Sequence, residues 1–267
     1  QMCIRDSFGN MPWREVFTDP QLQGYIEQAL TSSPDIRTAA LKVQEAQAPL
    51  LAAKLAFIPA LTLSPQGTVT SWDKGKATQT YSLPVTASWQ IDLFGQLLNP
   101  KRMAKATLEQ TKAYEQNTRV QLIANTANLY YTLLMLDRQL EITEGTAEIM
   151  KKNTETMQAM KDAGIYGTTE AAVEQSRAAY AQILASLPDI RANIREVENS
   201  LCLLLGEPAH SIERGILEDQ QLPTEFSAGI PLQLLSNRPD VKAAEQALAV
   251  AYYNTCLLYT SPSPRDS

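Results

Sequence analysis

The side chains best suited to chemistry in this chain are a run of carboxylates and a single histidine. Glu141, Glu144 and Glu148 recur at helical spacing, so one helix face would carry groups of the kind that act as general acids and bases. No nucleophile accompanies them, and a solvated helix surface explains the same spacing. His210 follows a proline in a predicted loop, where we expect no carboxylate or cysteine partner. We therefore predict neither a catalytic nor a metal site, no cofactor, and no enzyme activity.

The cysteines give no framework for a disulfide-rich or zinc-binding fold. Cys3 and Cys256 lie near the two ends, and Cys202 lies in the apolar stretch SLCLLLG. No CxxC spacing is present, so Cys202 is predicted to be a small buried hydrophobic residue.

Net charge and hydropathy exclude several classes of partner. The formal net charge is −6, which does not favour nucleic acid. The chain contains no run of about 18 apolar residues, so no transmembrane helix is predicted. The start of the sequence has no signal-peptide pattern. Both ends carry Arg-Asp-Ser, so residues 1–7 and 255–267 are interpreted as non-native sequence, with native disordered tails as the alternative.

One stretch alternates with a period of two. In TQTYSLPVTASWQIDLFG (78–95) apolar side chains from Tyr81 to Leu93 alternate with polar ones, which is typical of a strand and not of a helix. A similar strand is predicted over about 60–72, and DKGKA (73–77) supplies the turn. The two strands predict a β-hairpin over 60–93.

The remaining sequence is predicted to be helical. The expected helices cover about 19–32, 34–57 with Ser33 as N-cap, 95–163, and 168–205. The long helix carries two apolar stripes: Leu122, Leu129, Leu136, Leu133, Leu140, Ala147, Met150 and Met157 on one face, and Ile123, Ala127, Tyr130 and Leu134 on the next. Two stripes indicate a neighbour on each side.

Breakers delimit the last helix of that series, over 168–205. Gly164 and Gly167 predict the turn that precedes it, Pro188 is expected to kink or divide it, and Gly206 to end it.

An internal repeat divides the chain. SSPDIRTAA at 32–40 matches NRPDVKAAE at 237–245, so Pro34 corresponds to Pro239. Residues 8–254 are therefore predicted to contain one complete structural repeat, with a helical hairpin over 95–205, and the start of a second repeat at 231–254.

The hairpin needs an explanation, because two strands alone are marginally stable and expose both edges. Strands of this length can cross a bilayer at a tilt. One face carries Tyr81 and Trp89, with Trp72 near the turn, and the other is polar, which is typical of a barrel wall between lipid and water. Closure would require strands from elsewhere. The alternative is a soluble, half-buried hairpin packed on the helices.

Four stretches in order resemble the TolC-like outer-membrane efflux proteins that serve resistance-nodulation-division pumps. They are SWQIDLFGQLLNPKRMAKA, AGIYGTTEAAVEQSRAAY, ENSLCLLLGEPA and LLSNRPDVKAAEQAL, within a resemblance over about 12–254. The resemblance implies a mainly α protomer of a periplasmic helical tunnel, whose hairpin gives two strands to a trimeric outer-membrane β-barrel. It implies a homotrimer in outer-membrane lipid of a Gram-negative bacterium, with a periplasmic adaptor and an inner-membrane pump as partners.

The same resemblance implies two sets of functional residues. The barrel lumen would be lined by Thr80, Ser82, Thr86, Ser88, Gln90 and Asp92. The adaptor would dock at the helical turn, on Lys161, Gly164, Tyr166, Gly167 and Glu170, for which a solvated turn is the alternative. Lys101, Arg102 and Lys105 are expected at the membrane–water boundary. The alternative function is a soluble periplasmic coiled-coil adaptor or scaffold, although no Gly-rich lipoyl-like β segments flank the helices. By itself this chain is not expected to seal a channel.

Overall fold

The computed structural model describes residues 12–70, 78–92, 94–165, 167, 169–220 and 237–260, and these residues are mainly helical. In chain order the elements are α1 (Trp13–Val16), α2 (Pro20–Ser32), α3 (Pro34–Leu55), β1 (Ala60–Leu63), β2 (Gln66–Thr70), β3 (Thr78–Ser82), β4 (Val85–Ser88), α4 (Leu98–Asp162), α5 (Glu170–Leu205), a 3₁₀ turn (Leu217–Asp219) and α6 (Pro239–Thr260). None of the helices in this described part carries an apolar stretch long enough to cross a bilayer.

Capping residues set the start of the early helices as predicted. The Asp19 side chain accepts a hydrogen bond from the backbone N–H of Gln21 at 2.8 Å, and Pro20 occupies the first turn of α2. Ser33 Oγ accepts from the N–H of Asp35 at 3.3 Å at the start of α3. Proline suits this place because the first helical N–H groups have no partner within the helix.

The described residues form two compact units. The first contains residues 12–38 and 117–220, and the second contains residues 39–116 and 237–260. Helices α3 and α4 each contribute to both units. With 65 residues, α4 has a contour length of roughly 100 Å at 1.5 Å per residue.

In the first unit, α4 packs through two apolar faces, as its two stripes predict. Leu122, Leu133 and Leu136 of one stripe join a buried cluster with α5 residues such as Leu201. The other stripe joins a second cluster, in which Tyr130 and its neighbours contact α2. The prediction of a neighbour on each side is therefore confirmed, since one face of α4 packs mainly with α5 and the other with α2, which also contributes Ala29 to the first cluster.

The ends of α5 confirm the predicted breakers, but Pro188 does not divide the helix. Thr169 caps its start by accepting from the N–H of Ala172 at 3.3 Å, and Gly206 ends it in the left-handed conformation, with φ of 73°. The helix continues through Pro188. Of the two expected outcomes, a kink or a division, the division is wrong; proline removes a single N–H donor, and the helical hydrogen bonds on either side of it can remain.

In the second unit, α6 begins at Pro239 just as α3 begins at Pro34. The two copies of the repeat thus start the same kind of helix. Residues 231–236 of the predicted second repeat lie outside the described residues. The helix α6 extends through Asn254, where the sequence pattern was expected to stop, and runs to Thr260.

Candidate functional site

The predicted hairpin is present, and its two strands are each divided by a proline. Strand β1 pairs with β4 and β2 pairs with β3, all antiparallel. Between the two paired segments, Ser64 N–H donates to the Pro84 carbonyl at 3.2 Å. The prediction of unbroken strands is wrong because Pro65 and Pro84 have no N–H to give to the ladder.

The two paired segments nevertheless share one register. Ala60 lies opposite Ser88 and Gln66 lies opposite Ser82, so six residues forward on one strand match six residues back on the other. Residues directly opposite each other in an antiparallel pair share a face. The division therefore leaves the two faces of the hairpin continuous from end to end.

One face of the hairpin is polar and the other is largely apolar. On the polar face Thr70 lies opposite Thr78, Thr68 opposite Thr80, Gln66 opposite Ser82, and Thr62 opposite Thr86. On the other face Leu63 lies opposite Val85, Leu61 opposite Ala87, and Gly67 opposite Tyr81. A Cβ at Gly67 would meet the Tyr81 ring at 3.4 Å, so the ring lies close over the glycine.

Both faces of the hairpin are exposed. Every described residue of β1 to β4 is exposed, including Leu61 at 75% and Tyr81 at 76%. The soluble alternative required one face to be packed on the helices. Among the described residues that packing is not observed, because the strand residues of both faces are exposed.

The predicted lumen residues fall into two groups. Thr80, Ser82, Thr86 and Ser88 lie on the polar face of β3 and β4. Gln90 and Asp92 lie beyond β4, where the register would bring Pro59 opposite Trp89 and pairing stops. Gln90 Nε2 donates to the Gln96 side chain at 3.2 Å. Asp92 Oδ2 accepts from the N–H of Leu98 at 2.7 Å, so Asp92 caps α4.

The turn between α4 and α5 has the geometry that its glycines predict. Gly164 and Gly167 have φ of 70° and 99°, values that only glycine adopts without strain. Lys161 and Glu170 form an ion pair across the turn. These two predicted docking charges are therefore paired with each other. Ile165 is 48% exposed, and Tyr166 lies outside the described residues.

A polar layer that sequence analysis missed lies beneath this turn. Ser176 of α5 is buried, and its hydroxyl lies 2.8 Å from the Thr154 hydroxyl and 3.3 Å from Asn153 Nδ2. Thr154 continues the seven-residue spacing of Leu140 and Ala147, so this layer is a polar interruption of the apolar stripe. A buried polar layer favours one helix register, because a shifted register would leave the hydroxyl groups without partners.

The candidate catalytic residues have structural partners. Glu141 pairs with Arg138, Glu144 with Arg191, and Glu148 with Lys152, all on exposed surface. The expectation that His210 has no partner is wrong: Nδ1 lies 3.6 Å from Cys202 Sγ and Nε2 lies 3.8 Å from Glu207. Helix α5 ends between Cys202 and Glu207, and the chain turns back over its last turn. Cys202 is 1% exposed, as its apolar context predicted. Its thiol is therefore inaccessible to a substrate.

Comparison with known proteins decides the family. The sequence model of the outer membrane efflux protein family matches residues 25–207, which is more than half of the chain. The chain belongs to the outer membrane efflux protein family. The predicted fold class, a mainly helical TolC-like protomer with a long β-hairpin, is confirmed.

Curated relatives of this outer membrane efflux protein are channel proteins and not enzymes. The cation efflux system protein CusC of Escherichia coli K12 is 28% identical over 256 residues, covering 93% of this chain and 55% of that protein. The probable efflux pump outer membrane protein TtgC of Pseudomonas putida is 27% identical, covering 91% of this chain and 51% of that protein. This chain thus spans about half the length of the curated relatives it matches.

Solved structures agree with this family. A crystal structure of CusC is 27% identical and matches with a TM-score of 0.81, over 93% of this chain and 58% of that chain. The outer-membrane channel OprN matches with a TM-score of 0.83 at 24% identity, over 95% of this chain and 58% of that chain, which shows a shared fold.

In this efflux protein the segment 208–220 is bound to the helices by hydrogen bonds from buried polar groups. Tyr130, which is fully buried, donates its hydroxyl to Asp19 at 2.6 Å and accepts from the N–H of Gly215 at 3.2 Å. Burial and the bond to Asp19 both raise the pKa of Tyr130. Burial also raises the pKa of Asp19, but hydrogen bonds from Tyr130, Gln220 and the backbone outweigh it and lower this pKa overall.

Arg214 makes a second set of polar contacts between the segment 208–220 and the helices. Its guanidinium forms ion pairs with Asp137 of α4 and Glu198 of α5 and donates to the Ile212 carbonyl at 3.0 Å. Hydrogen bonds to Asp137 raise the pKa of Arg214, so the guanidinium stays charged. Tyr130 was predicted only as part of an apolar stripe, and the sequence around Arg214 carries no periodic signal. Its partners are 77 and 16 residues away along the chain.

Proposed function

We propose that this protein is the channel subunit of a tripartite efflux pump in the outer membrane of a Gram-negative bacterium. The observation that carries the proposal is the exposed hairpin with one polar and one apolar face in continuous register. Because the chain spans about half the length of its relatives, the proposal concerns the whole protein. The residues of this chain supply part of a barrel and part of a helical tunnel.

The dimensions of the hairpin suit an outer membrane. The paired region of the first strand runs from Ala60 to Thr70, which is eleven positions with both ends included. At about 3.3 Å per residue and a tilt near 45°, these span roughly 26 Å along the membrane normal. The apolar band of outer-membrane barrels is about 25 Å tall. One hairpin therefore crosses the apolar layer once in each direction.

Closure of the barrel requires more strands. Unpaired N–H and C=O groups at the two hairpin edges would cost several kcal/mol each in lipid, so the edges must be paired. The second repeat begins at about residue 237 and can supply a second hairpin in the whole protein. Four strands from each of three subunits would make the twelve-stranded barrel that the family resemblance implies.

The proposed activity is passive conduction. Thr80, Ser82, Thr86, Ser88, Gln90 and Asp92 would face the aqueous lumen, and an inner-membrane pump would supply the energy. The names of two relatives mention cation efflux and toluene efflux, so we propose small solutes as the class of cargo. Nothing found here favours the alternative of a soluble adaptor or scaffold.

Cysteine labelling of the two hairpin faces tests this function. In the full-length protein in isolated outer membranes, Thr80→Cys should react with a membrane-impermeant maleimide. Tyr81→Cys, its neighbour on the other face, should react at least about tenfold more slowly, because an apolar environment suppresses the reactive thiolate. Equal rates at both positions, or recovery of the protein in the soluble periplasmic fraction, would contradict the channel.

We also propose that the α4–α5 turn is the docking site of the periplasmic adaptor, on Lys161, Gly164, Tyr166, Gly167 and Glu170. The ion pair between Lys161 and Glu170 spans the turn, and Ile165 lies exposed beside it. An exposed apolar residue flanked by charged residues suits burial in a groove of a partner protein.

Site-directed cross-linking tests the docking site. In an active pump, a photoreactive label on Ile165→Cys should form an adduct with the adaptor. The same label on Asn193→Cys, an exposed position of α5 28 residues further along, should form none. Absence of an adduct from position 165 in an exporting strain would contradict docking at this turn.

A further inference from the structure

A group of cations flanks the base of the hairpin. The stretches 46–58 and 93–108 contain Lys54, Lys101, Arg102 and Lys105 and no carboxylate, in a chain whose net charge is −6. We call these four residues the basic collar. Lys54 lies in the last turn of α3, and the other three lie in the first two turns of α4.

Helix stability does not explain the collar residues of α4. The first turn of α4 contains no acidic residue, although the helix macrodipole favours negative charge there and disfavours cations. Among the described residues none of the four collar cations forms a salt bridge. Arg102 and Lys105 are exposed. Apart from Asp92, whose carboxylate caps α4, the start of this helix therefore offers the collar cations no acidic neighbour, and an external anion would supply one.

Contacts with aromatic residues place the collar against the end of the hairpin. Lys101 Nζ lies 5.1 Å from the centroid of the Phe57 ring, and Trp89 Nε1 donates to the Phe57 carbonyl at 3.3 Å. Trp89 is the first residue after β4 and is 63% exposed, and Phe94 is 84% exposed. Exposed aromatic rings next to an apolar barrel face are typical of the membrane–water interface.

The spacing of the collar matches the thickness of a lipid headgroup layer. Lys105 is one helical turn from Lys101, or about 6 Å along the axis. The headgroup region adds roughly 5–8 Å on each side of the hydrocarbon core. If Trp89 marks the boundary of that core, the cations of α4 fall within the headgroup layer.

We propose that the basic collar binds the phosphate groups of anionic phospholipids at the membrane surface that the hairpin enters. The proposal rests on the proposed function and extends it to the lipid partner. The cations are spread over an exposed helix face beside exposed aromatic rings, an arrangement that suits a layer of headgroups more than a single free phosphate ion.

Vesicle binding by the purified chain tests the collar. Binding is measured on phosphatidylcholine vesicles and on vesicles that also contain phosphatidylglycerol. The variant Lys101→Gln/Arg102→Gln/Lys105→Gln should lose on the order of 100-fold in partitioning to the anionic vesicles, at about fivefold per cation. The control Lys151→Gln/Lys152→Gln/Arg177→Gln makes the same change in net charge far from the hairpin and should keep the preference. The charge-conserving variant Lys101→Arg/Arg102→Lys/Lys105→Arg should also keep it.

The outcomes separate the collar from the channel. If the collar variant and the control bind anionic vesicles equally, the collar proposal is wrong, and retained binding to neutral vesicles would leave the hairpin function intact. If the collar variant loses the preference for anionic vesicles but no form of the chain binds neutral vesicles, the result supports lipid binding by the collar. The same result contradicts insertion of the hairpin into the membrane. Competition by inorganic phosphate at constant ionic strength would indicate a free-anion site and overturn the lipid assignment. Similar circular dichroism spectra of all variants show that folding is unchanged.

Discussion

Arg214→Ala is expected to lower the free energy of unfolding by about 3 kcal/mol, one of the two largest effects among the substitutions we propose. Arg214 and Glu198 are mostly buried, with side chains 16% and 13% exposed, and Asp137 completes the group. Removing the guanidinium leaves two carboxylates close together without a counter-charge. The cost comes mainly from the carboxylate of Glu198, whose side chain is only 13% exposed, whereas Asp137 is 37% exposed and remains partly solvated.

Urea denaturation followed by circular dichroism measures this effect. Arg138→Ala is the matched control, because Arg138 also pairs with two carboxylates, Glu141 and Glu218, but on exposed surface. Its removal should change stability little, since water and salt already screen those charges. Adding Glu198→Gln to Arg214→Ala should restore part of the loss. If the two single arginine variants were equally stable, the buried pair would not contribute as argued.

Leu201→Ala is expected to cost about 3 kcal/mol of unfolding free energy, within the usual range for a fully buried leucine. Leu201 is 0% exposed and lies in the cluster that joins α5 to α4 and α2. Truncation removes apolar contacts within this cluster and leaves a cavity that closely packed helices cannot easily close.

Leu203→Ala is the control for this substitution. Leu203 lies two residues further along α5 and is 76% exposed, so the same chemical change should cost less than about 0.5 kcal/mol. The same denaturation experiment compares both variants with the unmodified chain. Equal losses would mean that α5 does not present this face to the core.

The helices could be predicted well from the sequence, because their signals are local. Ser33, Thr169 and Gly206 are found at the helix ends that their types favour. The two stripes of α4 also identified its two packing faces before the partners were known. Periodicity succeeds here because a helix fixes which side chains share a face, whatever packs against them.

The hairpin was only partly predictable. Its alternation identified the two faces, and the structure keeps them. The sites where pairing stops depend on the opposite strand: Pro65 and Pro84 interrupt the ladder together because they lie near each other across it. Trp89 and Gln90 continue the alternation but have no strand opposite them. A pattern along one strand carries no information about its partner.

The sequence by itself determined the order and ends of the helices, the faces of the hairpin and the family of the protein. Only the tertiary structure decided that Tyr130 binds Asp19 and Gly215, and that Arg214 joins α4 to α5. Helix caps and periodic patterns arise from residues a few positions apart, so the sequence displays them directly. These hydrogen bonds and ion pairs join residues that are distant along the chain, and only the packing of the helices brings their polar groups within reach of each other.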